Sequence, residues 1–196
     1  VVLGNYATDA LDFIVDFQFR QAQRQDLWVN LLEASPSDAA YDLHHLPGVL
    51  RVETFRGLPV RMHAGPRSRR MSIMGLESDR QIYRVMDQSG TEPPLADDGI
   101  VVSRKLSELM KVHIGDQVTV EVLEGKRPTV QVRVVGTVDD LSGTNAYALR
   151  PLVNRIAHEG SLISGAWLSV DPRHLDDLYV QLKATPYVAG VTANAA

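Results

Sequence analysis

The segment that most constrains the fold is residues 99–138, whose hydrophobic periodicity changes three times, with a turn signal at each change. Its first part, residues 100–102, is an apolar run that predicts a strand. Ser103 follows at the N-cap position of a helix, where its hydroxyl can accept a hydrogen bond from a backbone N–H of the first turn. The apolar residues of this helix are Leu106, Leu109 and Met110. We therefore expect a strand that passes directly into a Ser-capped helix.

The second part of this segment predicts a β-hairpin with one buried face. After Gly115 and Asp116, valine alternates with other residues on both sides of a turn at residues 124–126. The inward-facing positions are Val118, Val120, Val122, Val130, Val132 and Val134. None of them is a nucleophile, a general base or a metal ligand, so we interpret the segment as scaffold.

The order of apolar strand, Ser-capped helix, Gly-Asp turn and valine-rich hairpin resembles the extracytoplasmic domain of FtsX-like ABC transporter permeases, the family that includes MacB. The resemblance implies an α+β fold of two subdomains. One is a ferredoxin-like repeat of two β-α-β units, called Porter in MacB. The other is an inserted α+β subdomain with a β-hairpin, called Sabre.

The resemblance also implies a function and a location. Such a domain lies outside the cell membrane, in the periplasm or at the cell exterior, and couples cytoplasmic ATP hydrolysis to conformational change there. The outcome in this family is export, lipoprotein release or activation of a partner. The implied partners are a cytoplasmic ABC ATPase subunit, a second permease subunit and a periplasmic or cell-surface protein.

Two stretches, residues 26–55 and 165–194, repeat one strand-helix-strand pattern. The corresponding positions are Trp28 and Trp167, Ser35-Pro36 and Asp171-Pro172, Leu46-Pro47 and Thr185-Pro186, and Val49 with Val52 and Val188 with Val191. The Ser-Pro and Asp-Pro pairs each predict an N-cap with proline in the first helical turn. Because two β-α-β units commonly share one sheet, we expect the strands around Trp28 and Trp167 to lie together.

These observations predict three regions. Residues 1–25 form an N-terminal stalk helix, residues 26–66 and 160–196 form the Porter-like repeat, and residues 67–159 form the Sabre-like insertion. Within the first region, residues 8–24 have Thr8 as an N-cap but no single apolar stripe. This pattern fits a helix packed on two sides, and the resemblance favours a stalk that continues a transmembrane helix. The sequence lacks an initiator Met, a basic signal-peptide region and any run of about 20 apolar residues, so we expect a piece cut from a longer protein. The resemblance implies that this piece is extracytoplasmic and lies between the first and second transmembrane helices.

The middle of the chain predicts further local elements. Residues 58–76 predict two strands joined at Ala64-Gly65-Pro66, with Arg67, Arg69 and Arg70 at the tip. This basic tip fits an acidic partner, a phosphate or a solvated turn. A capping-box pattern predicts a helix over residues 78–86. Beyond it we expect a linker at 91–98, a loop at 139–147 and a helix at 151–158.

Composition and motif content exclude several functions. The net charge of −4 argues against a nucleic-acid partner. The absence of cysteine excludes disulfides, thiolate catalysis and Cys-type zinc sites. His44 and His45 are adjacent on a predicted helix and cannot chelate one metal ion, and Asp139 and Asp140 lack EF-hand spacing.

We therefore expect no catalytic residue, no cofactor and no metal site. The alternatives left open are a free-standing extracytoplasmic module that binds a small ligand or protein, and an enzyme whose site has no recognisable motif.

Overall fold

The computed structural model describes residues 24–140 and 143–194. Its strands are β1 (Leu27–Pro36), β2 (Val49–Ala64), β3 (Arg67–Leu76), β4 (Gly99–Ser103), β5 (Gln117–Val122), β6 (Thr129–Val138), β7 (Ala146–Leu149), β8 (Leu162–Val170) and β9 (Val188–Ala193). Its helices are α1 (Ala39–His44), α2 (Arg104–Met110), α3 (Arg150–Ile156) and α4 (Leu175–Lys183), with a 3-10 turn at Pro172–His174 before α4. The fold is mixed α+β with strands predominating, which confirms the expected class at this level. No helix in the described ranges is long and apolar enough to span a membrane.

Four strands form an antiparallel sheet in the order β9-β1-β8-β2, here called the terminal sheet because it contains both ends of the described chain. Trp28 of β1 pairs directly with Trp167 of β8, so the strands around the two tryptophans lie in one sheet as expected. Helices α1 and α4 both cover one face of this sheet. Their buried residues Leu43, Leu178 and Leu182 contact Leu27, Val29, Val52, Ala166, Leu168 and Val170.

The remaining strands close into a six-stranded barrel. Around the ring the order is β2-β3-β7-β4-β6-β5, and β5 pairs with β2 again. The interior is filled mainly by aliphatic side chains from alternate positions of the strands, with Leu106 and Met110 of α2 and Val153 of α3 packed against them. Closure removes free strand edges from this part of the protein.

One strand belongs to both units. The first part of β2, from Val49 to Phe55, pairs with β8 in the terminal sheet, and the part from Arg56 onwards pairs with β3 in the barrel. The passage from sheet to barrel therefore occurs inside a continuous strand. The predicted division after residue 66 lies at the turn between β2 and β3 and stays a prediction.

Several local predictions are confirmed. The Ser103 side chain accepts a hydrogen bond from Leu106 N at 3.3 Å and caps α2. In the valine hairpin, Val118 pairs with Val132 and Val120 with Val130, and the inward residues lie in the barrel core. The predicted helix near residues 151–158 is α3. By contrast, Leu109 of α2 is 46% exposed, so it does not complete the apolar stripe.

Other local predictions are wrong. Residues 78–86 are not helical, because the buried Glu53 carboxylate of β2 accepts hydrogen bonds from the backbone N–H groups of residues 81–83. Ser35 and Pro36 lie within β1, and α1 begins after Asp38, which makes no side-chain cap. The expected loop at 139–147 includes the first residues of β7, which pairs with β3 and β4. The predicted stalk helix at 8–24 lies outside the described residues except at Arg24.

Candidate functional site

The point where β2 leaves the terminal sheet and enters the barrel is held by a buried arginine. Arg56 is 2% exposed, although it stands in a strand with apolar neighbours. Its Nε donates to Glu159 Oε1 at 2.7 Å, and one Nη donates to Glu159 Oε2 at 3.0 Å. The same nitrogen contacts Glu124 in the turn between β5 and β6. One guanidinium thus joins the shared strand to the barrel and to the loop before β8.

Neutral groups complete this arrangement, which we call the junction (Arg56, Gly57, Glu124, Glu159 and Ser164). The other Nη of Arg56 donates to Gly57 O at 2.7 Å and to Ser164 Oγ at 3.1 Å. Ser164 Oγ in turn accepts from Gly57 N at 3.0 Å. A buried charge is tolerated only when it is paired and hydrogen-bonded, and the junction meets that requirement.

The electrostatics of the junction keep Arg56 charged. Burial by itself lowers the pKa of the guanidinium, but hydrogen bonds and charge attraction from Glu159 and Glu124 outweigh this effect and raise the pKa above its usual value. Neither glutamate is as deeply buried as Arg56. The Arg56 guanidinium therefore keeps its charge and its hydrogen bonds, and it is not a general acid or base.

A second buried charge holds the long loop between β3 and β4 against the terminal sheet. Glu53 of β2 is 1% exposed and accepts hydrogen bonds from three consecutive backbone N–H groups, those of Gln81, Ile82 and Tyr83. Arg51 Nε donates to the same carboxylate at 3.0 Å. The loop is thereby fixed across the boundary between sheet and barrel.

Aromatic rings fill the space beneath this loop. Tyr83 stacks on Trp167 with ring centroids 4.2 Å apart and planes 6° apart, and Phe55 lies 4.4 Å from Trp167 on centroids. Trp28 contacts Phe55 edge-on at 6.0 Å. Gly165 leaves room for this packing, since a Cβ there would lie 2.1 Å from Val29 O and 2.7 Å from Phe55 Cζ. The cluster continues into the barrel through Val101, Val138 and Tyr147, so it packs sheet and barrel together.

Both ends of the described chain emerge side by side. Asn194 N donates to Asp26 O at 3.0 Å, and Leu27 pairs with Ala193. Asp26 is also fixed by Val170 N, which donates to its carboxylate at 2.7 Å. Because Val49 of β2 pairs with Val170, the ends of the described chain and the start of β2 lie at the same end of the strands of the terminal sheet, and the barrel lies beyond the opposite end.

The residues considered as metal ligands in the sequence are dispersed. His45 Nδ1 lies 2.7 Å from Tyr41 O, while His63 faces Glu121 on the barrel exterior. Asp139 pairs with Arg104, and Asp140 accepts from the Tyr147 hydroxyl. Within the part of the chain that the structure describes, no three His, Asp or Glu residues converge in a way that could hold a metal ion.

Sequence reasoning missed both buried charges. The only signal was a charged residue inside an apolar strand, Glu53 and Arg56 in the sequence VETFRGLPV. Their partners lie far along the chain: Glu159 is 103 residues from Arg56, and Ile82 is 29 residues from Glu53. Nothing local indicates such distant pairs.

Comparison with known proteins bears on the fold. No family model and no curated protein sequence matches the chain. Solved structures do. The extracellular domain of the noncanonic ABC-type transporter YknZ from Gram-positive bacteria is 13% identical with a TM-score of 0.53, over 87% of this chain and 99% of that one. The periplasmic region of MacB from Actinobacillus actinomycetemcomitans is 13% identical with a TM-score of 0.55, over 93% of this chain and 94% of that one. The chain therefore has the fold of these extracytoplasmic transporter domains, as the resemblance in its sequence implied.

Proposed function

We propose that this chain is the extracytoplasmic domain of an FtsX-like ABC transporter permease, and that it carries motion driven by cytoplasmic ATP hydrolysis to the outside of the membrane. The observation that carries the proposal is the pairing of Asp26 with Asn194 at one end of the strands of the terminal sheet. A domain inserted between two membrane helices needs both ends at one surface, and the two ends of the described part of this chain lie together. The similarity in fold to two such domains supports the same role.

In this proposal the partners are an ATPase subunit and a second permease subunit, and the domain acts as a rigid body. The terminal sheet corresponds to the Porter-like repeat and the barrel to the Sabre-like insertion. The junction, the Glu53 carboxylate and the aromatic rings connect the two, so displacement at the chain ends moves the barrel as well. The described residues thus have a mechanical role: they preserve one geometry under load.

We also propose that the isolated domain has no catalytic activity and binds no metal tightly. Support comes from the lack of nucleophile, P-loop and dinucleotide motifs in the sequence and from the dispersed histidines. Stoichiometric metal after purification without added metal would overturn this. So would hydrolysis of a substrate that a single His or Asp substitution abolishes.

Spin labels on the parent permease, assembled with its ATPase, test the rigid-body role. Since the chain lacks cysteine, Ser68→Cys on the barrel and Gln181→Cys on α4 each give a single label in this domain. With one label per subunit, the distance between the two subunits should change between the ATP-bound and nucleotide-free states. With both labels in one subunit and none in the other, the distance should stay constant.

The two measurements separate the parts of the proposal. Unchanged distances between subunits in all nucleotide states would reject coupling to ATP hydrolysis. A changed distance within one subunit would reject rigid-body motion while leaving the coupling intact. A catalytically inactive ATPase is the matched control, because it keeps nucleotide binding but blocks the cycle.

A further inference from the structure

The outer surface of the barrel has a charge opposite to that of the chain as a whole. Residues 59–72 and 117–133, which include β5, parts of β2, β3 and β6 and the two hairpin turns, contain seven Arg or Lys residues and two acidic residues, Glu121 and Glu124, of which Glu124 is paired with Arg56. The whole chain has 20 Lys and Arg against 24 Asp and Glu. Acidic charge is therefore concentrated elsewhere, and we call this surface the basic face.

Strand register shows how the basic face is built. Along β2 the residues Val60 and Met62 point into the barrel, so Arg61 and His63 between them point outward. Arg61 lies directly opposite Arg70 on one side and Glu121 on the other. Farther across, Gln117 lies opposite Arg133. Arg61, Arg70 and Arg133 thus lie on the outward side of the barrel wall. Arg67 and Arg69 lie opposite Ala64 and Met62, on the other side of β3 near the hairpin turn.

Most of this charge has no ion-pair partner among residues 24–140 and 143–194. Glu121 is shared by Arg61 at 3.6 Å and His63 at 3.2 Å. The other six cations make no ion pair and no side-chain hydrogen bond with any residue that the structure describes. They are Arg67, Arg69, Arg70, Lys126, Arg127 and Arg133. Like charges placed directly opposite one another on adjacent strands, as Arg61 and Arg70 are, destabilise a sheet. The pair of Arg61 and Arg70 is therefore unfavourable in the isolated domain, and an anionic surface placed over it would relieve the repulsion.

We propose that the basic face binds an acidic surface of a partner protein. Six of the seven cations in residues 59–72 and 117–133 are arginine, and the planar guanidinium matches carboxylates with two parallel hydrogen bonds. Arginine is enriched and lysine depleted in protein interfaces, whereas a polyanion that only needs charge is bound equally well by lysine. Neutral hydrogen-bonding residues, Ser68, Thr119 and Gln131, lie between the arginines.

The position of the face excludes the membrane as its occupant. Arg70 and Arg133 belong to the barrel, which lies beyond the opposite end of the strands of the terminal sheet from the paired ends of the described chain. This step rests on the proposed function, since it takes the ends to lie at the membrane. The binding measurement itself does not depend on any transporter being present.

The test measures binding of a fluorescent oligoglutamate peptide to the whole 196-residue chain by anisotropy. The triple variant Arg70→Gln, Arg127→Gln, Arg133→Gln should bind about tenfold more weakly, as expected for the loss of three exposed ion pairs. The control triple Lys105→Gln, Arg173→Gln, Lys183→Gln removes the same charge from exposed positions outside the face. It should change affinity by less than about twofold.

Additional binding measurements test other ligands for the basic face. Tighter binding to polyphosphate of equal charge, or to phosphatidylglycerol vesicles, would overturn the assignment to an acidic protein. Equal loss in both triple variants would show binding by net charge alone and would also overturn it. Hydrogen exchange of the wild-type chain with the peptide should show protection in β2, β3, β5 and β6, and protection elsewhere instead would contradict the proposal. If the spin-label experiment rejects the mechanical role, the result of this binding measurement is unaffected.

Discussion

Arg56 shows how one side chain can determine the relation between two units. A guanidinium presents its donors in a fixed plane, so bonds to Glu159, Ser164 and the backbone define direction as well as energy. The carboxylate of Glu159 also accepts from Asn154 Nδ2 at 2.8 Å, which connects the junction to α3. A lysine would keep the charge but lose this geometry.

Replacing Arg56 should destabilise the protein strongly. We expect Arg56→Leu to lower the free energy of unfolding by about 3 kcal/mol, because it leaves Glu159 partly buried without its cation. Arg56→Lys should give an intermediate loss. Urea denaturation measures both. The control Arg61→Leu removes a half-buried arginine from the outer side of the same strand, where it makes one surface ion pair, and should cost about 0–1 kcal/mol. Equal losses at the two positions would contradict the role given to Arg56.

Asp140 should make the stability of the protein depend on pH. Burial raises the pKa of its carboxyl group, a shift that the hydrogen bond from Tyr147 opposes without cancelling. Since the folded protein then binds the proton more tightly than the unfolded chain, ionised Asp140 destabilises the fold above its raised pKa. This penalty disappears as the pH falls below the unfolded value of about 3.9.

The variant Asp140→Asn should therefore be as stable as the wild type or more stable at pH 7. The difference should shrink as acid protonates Asp140. Urea midpoints of both proteins between neutral pH and pH 4 test this. A variant that is less stable at pH 7, with a deficit that disappears in acid, would mean that the carboxylate is stabilised in the fold.

At the scale of elements, the loop between β3 and β4 has a fixed course without regular secondary structure. The Glu53 carboxylate binds its backbone at residues 81–83, and Thr54 N donates to Glu77 Oε1 at 2.9 Å near the start of the loop. Arg24 N donates to Ile82 O at 2.8 Å, so the loop also contacts the first described residue. The loop thus connects the chain entry, the terminal sheet and the barrel.

We expect Glu53→Gln to release this loop. The amide offers one acceptor oxygen in place of two and turns a donor toward backbone N–H groups, at a cost of about 1.5–3 kcal/mol. Hydrogen exchange at residues 81–83 should become faster. The exposed Glu33→Gln on β1 is the matched control and should stay within about 0.5 kcal/mol of the wild type. Unchanged exchange in Glu53→Gln would show that the loop is held by other contacts.

The same loop shows where prediction from sequence stops. Elements made by contacts between near neighbours, such as the Ser103 cap and the hairpin that pairs Val120 with Val130, follow from local periodicity. The capping-box pattern at residues 78–86 was just as regular, yet a carboxylate about thirty residues upstream competes for the same backbone donors. The helix propensity of this segment is outweighed because the buried Glu53 carboxylate needs hydrogen-bond donors.

Barrel closure and the junction could not be predicted for a related reason. The short strand β7 pairs with β3 and β4, which precede it by many residues, and its four residues carry no alternating pattern. The repeat of Trp28 and Trp167 did predict that their strands share a sheet. It contained no information on Arg56, whose partners come from outside the repeat.

For the whole molecule, the shared strand β2 makes sheet and barrel one cooperative unit. Losing the terminal sheet removes the pairing of β2 with β8, and the strand cannot fray there without exposing Phe55 and Trp167. The two tryptophans of the chain both lie beneath the loop at this boundary. Their fluorescence therefore reports on the contact between the units, whereas far-UV circular dichroism reports on both units.

We expect urea unfolding curves from tryptophan fluorescence and from circular dichroism to coincide, as in a two-state transition. Independent units would give a fluorescence change that is complete before the circular dichroism signal of the barrel is lost. That outcome would contradict both the cooperative unit and the rigid body on which the proposed function depends.

The length of β2 has a geometric consequence for such a rigid body. Its 16 residues span at most about 50 Å at the rise of an extended strand. They run from the end of the terminal sheet where the ends of the described chain lie to the hairpin turn at Gly65. If the domain pivots at its ends, a tilt of about 10° moves that turn through an arc of about 9 Å, the product of this radius and the angle in radians. Small angular changes near the membrane are thereby amplified with distance, and the arginines near the turn travel farthest.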